Sequence, residues 1–191
     1  MPRILSLTGS SGTGKTTIAK AIIKDLPQAR MVLSYTTRKP RPTDLPGEYE
    51  YLTDTAFGSM NAASFLWTAE RPGVRFGTVS DSIREILEDD KAVGIMILVP
   101  EAVQKLRDYL TSIEKLSAHV PVFIASSPKE TLLERLRQRD NAVQDTERRL
   151  IEAPWEERAR SGVVPFHFIQ NDGDINTAVR AVIALLSSQR D

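Results

Sequence analysis

Five short apolar runs punctuate the chain, at Ile4 to Thr8, Met31 to Tyr35, Val93 to Val99, Val120 to Ala125 and Phe166 to Gln170. Between them apolar residues recur at helical spacing, most clearly Ile18, Ile22 and Leu26 with Ala19 and Ile23. This periodicity predicts helices over 15–26, 80–90, 101–110, 128–139, 144–160 and 174–188. Ser127 as N-cap, Pro128 at the first helical position and Glu130 at the third form a capping-box start for the fourth. Asp174 is a candidate N-cap for the last. Runs alternating with helices predict an α/β fold, a parallel five-stranded sheet flanked by helices.

The pattern breaks between residues 38 and 79, a stretch holding Pro40, Pro42, Pro46, Pro72 and four glycines, with short aromatic β-like pieces at Tyr49 to Leu52 and Ser64 to Thr68. It reads as a small mixed-β lobe set into the sheet. A second irregular stretch, Asp140 to Thr146, joins two arginine-rich helical segments and reads as a lid. The expected organisation is a single domain over 1–191, with a core from 1–33, 80–139 and 161–191, a lobe over 34–79 and a helical lid over 140–160.

Composition narrows the function. The 191 residues are 41% apolar and 26% charged, with 25 basic against 25 acidic side chains. That balance leaves no net charge to hold a nucleic-acid backbone or an anionic membrane, so neither is expected as a partner and any anion must be gripped locally. The absence of cysteine excludes disulfides and thiolate metal sites. His119 and His167 are too far apart to suggest a metal centre, and each reads as a surface or edge residue. No apolar run approaches the ~18 residues of a membrane span, and Met1-Pro2-Arg3 leads directly into the first strand; a cytoplasmic setting is expected.

Local anion chemistry is present at Gly9-Ser10-Ser11-Gly12-Thr13-Gly14-Lys15-Thr16, which matches G-x-x-x-x-G-K-[ST] between a predicted strand and a predicted helix. Glycines there let backbone N–H groups converge on phosphate oxygens, and the helix N-terminus adds partial positive charge. Lys15 is placed to reach the β/γ-phosphates of the bound group and the Thr16 hydroxyl to ligate Mg²⁺, with Thr17 beside it. The fold expected is therefore of P-loop NTPase type.

A second constellation follows at Ser34-Tyr35-Thr36-Thr37-Arg38-Lys39-Pro40-Arg41-Pro42, then Gly47, Tyr49 and Tyr51. Two arginines three apart on a proline-stiffened turn, flanked by hydroxyls, suit a phosphate monoester. This segment resembles the acceptor-binding signature of the guanylate kinase family, S-x-T-T-R-x-P-R continuing through a glycine to Y-x-[FY]. Leu132 to Arg139 is similar to that family's lid entry, Arg148-Arg149-Leu150 to its lid exit, and Asn171-Asp172 to the pair near the donor adenine. The resemblance implies a kinase that moves the γ-phosphoryl group of ATP to a nucleoside monophosphate, GMP or dGMP in the family. It implies that Arg38, Arg41 and Tyr49 hold the acceptor phosphate and Ser34 faces the base. Lys15, Arg41, Arg139 and Arg149 would stabilise the transferring group, and Arg135, Asn171 and Asp172 would lie with the donor. A small phosphorylated acceptor is the expected partner, with the protein a monomer or homodimer.

The chain departs from that pattern at the base. Phe65-Leu66-Trp67-Thr68-Ala69 puts Trp67 where the family has its guanine-reading acid, and Ile95 to Pro100 lacks the carboxylates of the family's L-D-x-D-x-Q-G. Phe76-Gly77-Thr78 keeps the ring of a phosphate-contacting tyrosine but loses its donor. Asp44, Glu48 and Glu70 are the candidates to replace the missing carboxylates near the metal. Trp67 either stacks on a different base or sugar or fills core space. Trp67-Thr68-Ala69 ahead of Phe76-Gly77 is also similar to the ribose 1,5-bisphosphate phosphokinases, which act on a sugar phosphate. An inactive guanylate-kinase-like module that binds a phosphoprotein is a third possibility, against which the intact loop at Gly9 to Thr16 counts.

Overall fold

The computed structural model describes residues 1–71, 73–125 and 154–188. Its centre is β1 (Arg3–Thr8), buried along its whole length and flanked by β7 (Val93–Ile97) on one side and β8 (His119–Ala125) on the other. With β2 (Ala29–Met31) and β9 (His167–Gln170) at the edges, these form a five-stranded sheet of order β2-β7-β1-β8-β9 in which all pairings are parallel. A parallel strand covered on both faces needs apolar residues at nearly every position, which is why β1 and β8 read as continuous runs.

Alternate residues feed two cores. Leu5, Leu7 and Ile95 face Ile18 and Ile22 of α1 (Lys15–Asp25) and Val179, Val182 and Leu186 of α6 (Ile175–Ser188). Ile4 and Met96 face the other way, onto Ile83 and Ile86 of α3 (Ser80–Glu88) and Val103, Leu106 and Leu110 of α4 (Pro100–Ser112). A smaller cluster seats Trp155 and Ala159 of α5 (Trp155–Ser161) on Phe123 of β8.

The lobe is a four-stranded mixed sheet of order β4-β3-β6-β5, built from β3 (Ser34–Thr36), β4 (Tyr49–Tyr51), β5 (Phe65–Arg71) and β6 (Val74–Val79), with α2 (Asp54–Ser59) between β4 and β5. β3 runs parallel to β4 and antiparallel to β6, and a register shift between Phe65 and Trp67 breaks the β5–β6 ladder.

Two expectations need correction. The run from Met31 to Tyr35 is not one strand. Val32 N–H still reaches the Ile95 carbonyl at 2.9 Å, but from Ser34 the backbone pairs with β4 in the other sheet. His119 is not at the surface: it is 4% exposed, and its Nε2 lies 2.8 Å from the Ser6 hydroxyl. It opens a strand beside the central one, opposite the fully buried Ile4 of β1. Asp174 does cap the last helix, its Oδ1 accepting the Asn176 N–H at 3.0 Å. The predicted helix over 128–139, with Ser127, Pro128 and Glu130, lies outside the described residues, as does most of the lid over 140–160.

Candidate active site

The segment from Gly9 to Thr16 leaves the carboxyl end of β1 and turns into α1, where ligands bind in open α/β sheets. Gly9, Gly12 and Gly14 have φ of +142°, +84° and +93°, a region that L side chains rarely adopt. A Cβ at Gly9 would run into the Ile124 carbonyl, and one at Gly14 into the Asn171 amide. Lys15 folds back along the loop, its Nζ donating to the Gly9 carbonyl at 2.6 Å and the Ser10 carbonyl at 2.7 Å. The Thr13 hydroxyl donates to the same Ser10 carbonyl at 2.9 Å. Ser10, Ser11 and Thr13 are buried, and Thr16 and Thr17 open the first turn of α1 just after Lys15. Asn171, 4% exposed at the end of β9, donates from Nδ2 to the Thr13 carbonyl at 2.8 Å, while Asp172 beside it is exposed.

The lobe gathers the other group of predicted residues. In register, Ser34 opposes Tyr49 across β3–β4, Thr36 opposes Phe76 across β3–β6, and Trp67 opposes Thr78 across β5–β6. Directly opposed residues share a face, and so do residues two apart along a strand. Ser34, Tyr49, Trp67, Phe76 and Thr78 therefore line one face of this sheet. Contacts agree: the Ser34 and Thr78 hydroxyls are 2.8 Å apart, and the Tyr49 and Phe76 rings meet edge to face at 6.3 Å. Gly77 falls on the opposite face, under the Phe65 ring. Trp67 is half-buried and packs on the α3/α4 core, with its indole N–H buried and without a hydrogen-bond partner among the described residues.

Arg38 lies across the tyrosine end of that face, its guanidinium carbon 4.7 Å from the Tyr49 ring centre and 5.8 Å from that of Tyr51. Its fork is held by Asp44, Nη1 donating to Oδ2 at 2.8 Å and Nη2 to Oδ1 at 2.6 Å. Tyr51 Oη and the Arg41 backbone N–H also donate to Asp44, at 2.6 and 2.7 Å. Burial works against charge on the Asp44 carboxyl, but these donors outweigh it and hold the group down at about 2. Burial, with help from Glu48, pushes the Tyr49 phenol well above its ordinary range, so it remains a donor.

The two groups share one edge of the main sheet. The loop follows β1 and the lobe follows β2, with β7 between them and all three strands parallel. At about 4.8 Å per strand, their roots are roughly 10 Å apart. Between them β7 runs out into Leu98-Val99-Pro100, which offers no carboxylate. Of the candidates to replace one, Asp44 is committed to Arg38, Glu48 accepts the Leu45 N–H at 2.9 Å, and Glu70 stands opposite Arg75 on β5.

This arrangement of a glycine loop and an arginine-bearing β lobe matches known proteins. The guanylate kinase family model matches residues 1–189. The chain belongs to the guanylate kinase family. It is 31% identical over 189 residues to a guanylate kinase of Corynebacterium jeikeium, covering 96% of this chain and 95% of the relative, and 32% identical over 188 residues to that of Corynebacterium efficiens, covering 96% and 94%. The solved structure of a guanylate kinase from Anaplasma phagocytophilum superposes with a TM-score of 0.65 at 18% identity, over all of this chain and 87% of that one, which supports the fold. Membership makes this chain a phosphotransferase of the nucleoside monophosphate kinase class.

Arg135, Arg139 and Arg149 lie outside the described residues. The Asp44 anchor was missed as a partner of the arginines. The signal was there, in a carboxylate six residues after Arg38 and three after Arg41, inside a turn.

Proposed function

We propose that this chain moves the γ-phosphoryl group of ATP onto the phosphate of a nucleoside monophosphate, donor and acceptor meeting at the carboxyl edge of the main sheet. The Gly9 to Thr16 backbone, with Lys15, holds the donor phosphates, and the glycines at positive φ give the loop a backbone course that L side chains rarely adopt. Arg38, Arg41 and Tyr49 hold the acceptor phosphate; Ser34, Thr78 and Trp67 face the acceptor's remaining part. Arg135, Arg139 and Arg149 are assigned to the donor side and the transferring group. No general base is required, because the attacking phosphate oxygen is already anionic. Positioning and positive charge are what the transfer asks of the protein.

Mg²⁺ fits this donor set in the way the ion is usually bound beside nucleotides, through one protein oxygen, here Thr16, with phosphate oxygens and water completing its shell. When bound it supplies charge neutralisation on the donor phosphates. The domain division expected from sequence is retained as part of this reading: core 1–33, 80–139 and 161–191, acceptor lobe 34–79, lid 140–160. So are a cytoplasmic setting and a monomeric or homodimeric state.

The observation that carries the reading is the convergence of Ser34, Tyr49, Trp67, Phe76 and Thr78 on one face of a sheet rooted two strands from the phosphate loop. The test is a coupled assay of ADP release over the ribo- and deoxyribonucleoside monophosphates, with ribose 1,5-bisphosphate alongside. Turnover of a nucleoside monophosphate is expected. Turnover of the sugar bisphosphate alone favours the sugar-phosphate kinase reading, for which Trp67 in place of an acid is the supporting observation.

A further inference from the structure

Arginine carries five N–H donors, two on each Nη and one on Nε. In Arg38, Asp44 takes one from each Nη, and the Lys39 carbonyl takes the second of Nη1 at 2.9 Å. The remaining two, Nε–H and the outer N–H of Nη2, lie side by side on one edge of the guanidinium, the spacing that matches two oxygens of a phosphate; Arg38 also shares a hydrogen bond with the Tyr49 phenol, itself assigned to the acceptor phosphate. The Tyr49 and Tyr51 rings lie against the guanidinium group, their centres 4.7 and 5.8 Å from its carbon. Asp44 is itself anchored from elsewhere, by the Tyr51 phenol and the Arg41 N–H, so it is a fixed post rather than a carboxylate that follows the arginine.

We propose that Asp44 is a positioning residue: it clamps one edge of Arg38 so that the Nε/Nη2 edge is presented to the acceptor phosphate, and it pins the turn that carries Arg41. This rests on the phosphotransferase reading above. Asp44 does not touch the phosphate. It works by removing the rotamer freedom that a long cation otherwise loses on binding, and by forbidding the end-on approach in favour of the side-on one.

The alternative role for the same contacts is competition, with Asp44 as an internal stand-in that the acceptor phosphate must displace. Steady-state kinetics on the full chain separates the two. With the acceptor that the wild type turns over, Asp44→Asn, which loses charge and points an amide donor at the guanidinium, is expected to raise the acceptor KM roughly ten- to a hundred-fold with the KM for ATP within about two-fold of wild type. Asp44→Glu is expected to recover most of that loss. Tyr51→Phe, which deletes one anchoring bond from an exposed ring, raises the acceptor KM a few-fold and guards against a misfolded Asp44 variant. An acceptor KM that is unchanged or lower in Asp44→Asn or Tyr51→Phe overturns the positioning role, as does a rise shared equally by ATP, which marks a merely structural one. A wild type inactive on every acceptor condemns the phosphotransferase reading and the positioning role with it.

Discussion

The Asn171 amide donates to the Thr13 carbonyl at 2.8 Å, joining the end of the last strand to the phosphate loop across 158 residues of sequence. The same amide sits where a Cβ on Gly14 would have to go. The loop's shape is thus set by a side chain from the far end of the fold as well as by its own glycines.

Asn171→Ala is therefore expected to leave a buried carbonyl without its donor, costing about 1 to 3 kcal/mol, and to raise the KM for ATP more than that for the acceptor. Gly14→Ala, which combines a left-handed φ with a collision at Asn171, is expected to weaken ATP further. Denaturant unfolding and calorimetric titration with ATP read the two effects. An Asn171→Ala protein with unchanged stability and ATP affinity contradicts this bracing role.

Lys15→Ala removes a half-buried cation whose partners include two loop carbonyls. The fold should survive and kcat fall by roughly a hundred- to a thousand-fold, the scale of losing one preorganised donor at developing charge. Circular dichroism beside the kinase assay checks both halves.

How much of this was legible beforehand differs by element. The strand, glycine loop and helix around Gly9 to Thr16 were readable, since the motif lies in consecutive residues and its flanking strand and helix have their own periodicities. The central strands were readable because burial on both faces forces continuous apolar runs. The run Met31 to Tyr35 misled because apolar character reports burial, not partner: only the hydrogen-bond ladder reveals that Val32 belongs to β7 and Ser34 to β4. β6 escaped notice because Gly77 interrupts its alternation and Pro72-Gly73 precedes it, and α2 because six residues carry too little periodicity. The face that Ser34, Tyr49, Trp67, Phe76 and Thr78 share could be listed residue by residue, but not seen as a surface, because cross-strand register is a tertiary property.

The base-reading end of that face should decide specificity. Trp67 offers a donor and an apolar ring where guanine presents N–H donors, so the native chain is expected to show little preference for GMP. Trp67→Glu should raise the relative kcat/KM for GMP by about ten-fold or more. Competition between GMP and the other monophosphates in one reaction measures the ratio directly; an unchanged ratio contradicts a base-facing role for this residue.

Acid stability provides an independent check of the buried histidine. Burial, with a smaller push from Arg107, lowers the His119 imidazole from 6.5 to about 3. Below about pH 6.5 the unfolded chain therefore takes up a proton that the folded chain refuses, and stability falls with pH until about 3. Asp44 acts in a lower window, its contribution present above 3.8 and lost as pH falls through about 2. The melting temperature is expected to drop from pH 6.5 to 4, and His119→Gln to flatten that slope. Parallel curves for the two proteins contradict the neutral burial of His119.

The central claim is that two anion sites, one behind β1 and one behind β2, serve a single in-line transfer. A bisubstrate ligand that joins adenosine to the acceptor nucleoside through five phosphates tests it most directly, by calorimetric titration against the wild type, Lys15→Ala and Arg38→Ala. The account predicts binding at least about a hundred-fold tighter than ATP alone, weakened by either substitution. A ligand that binds no tighter than ATP, and is indifferent to Arg38, contradicts it.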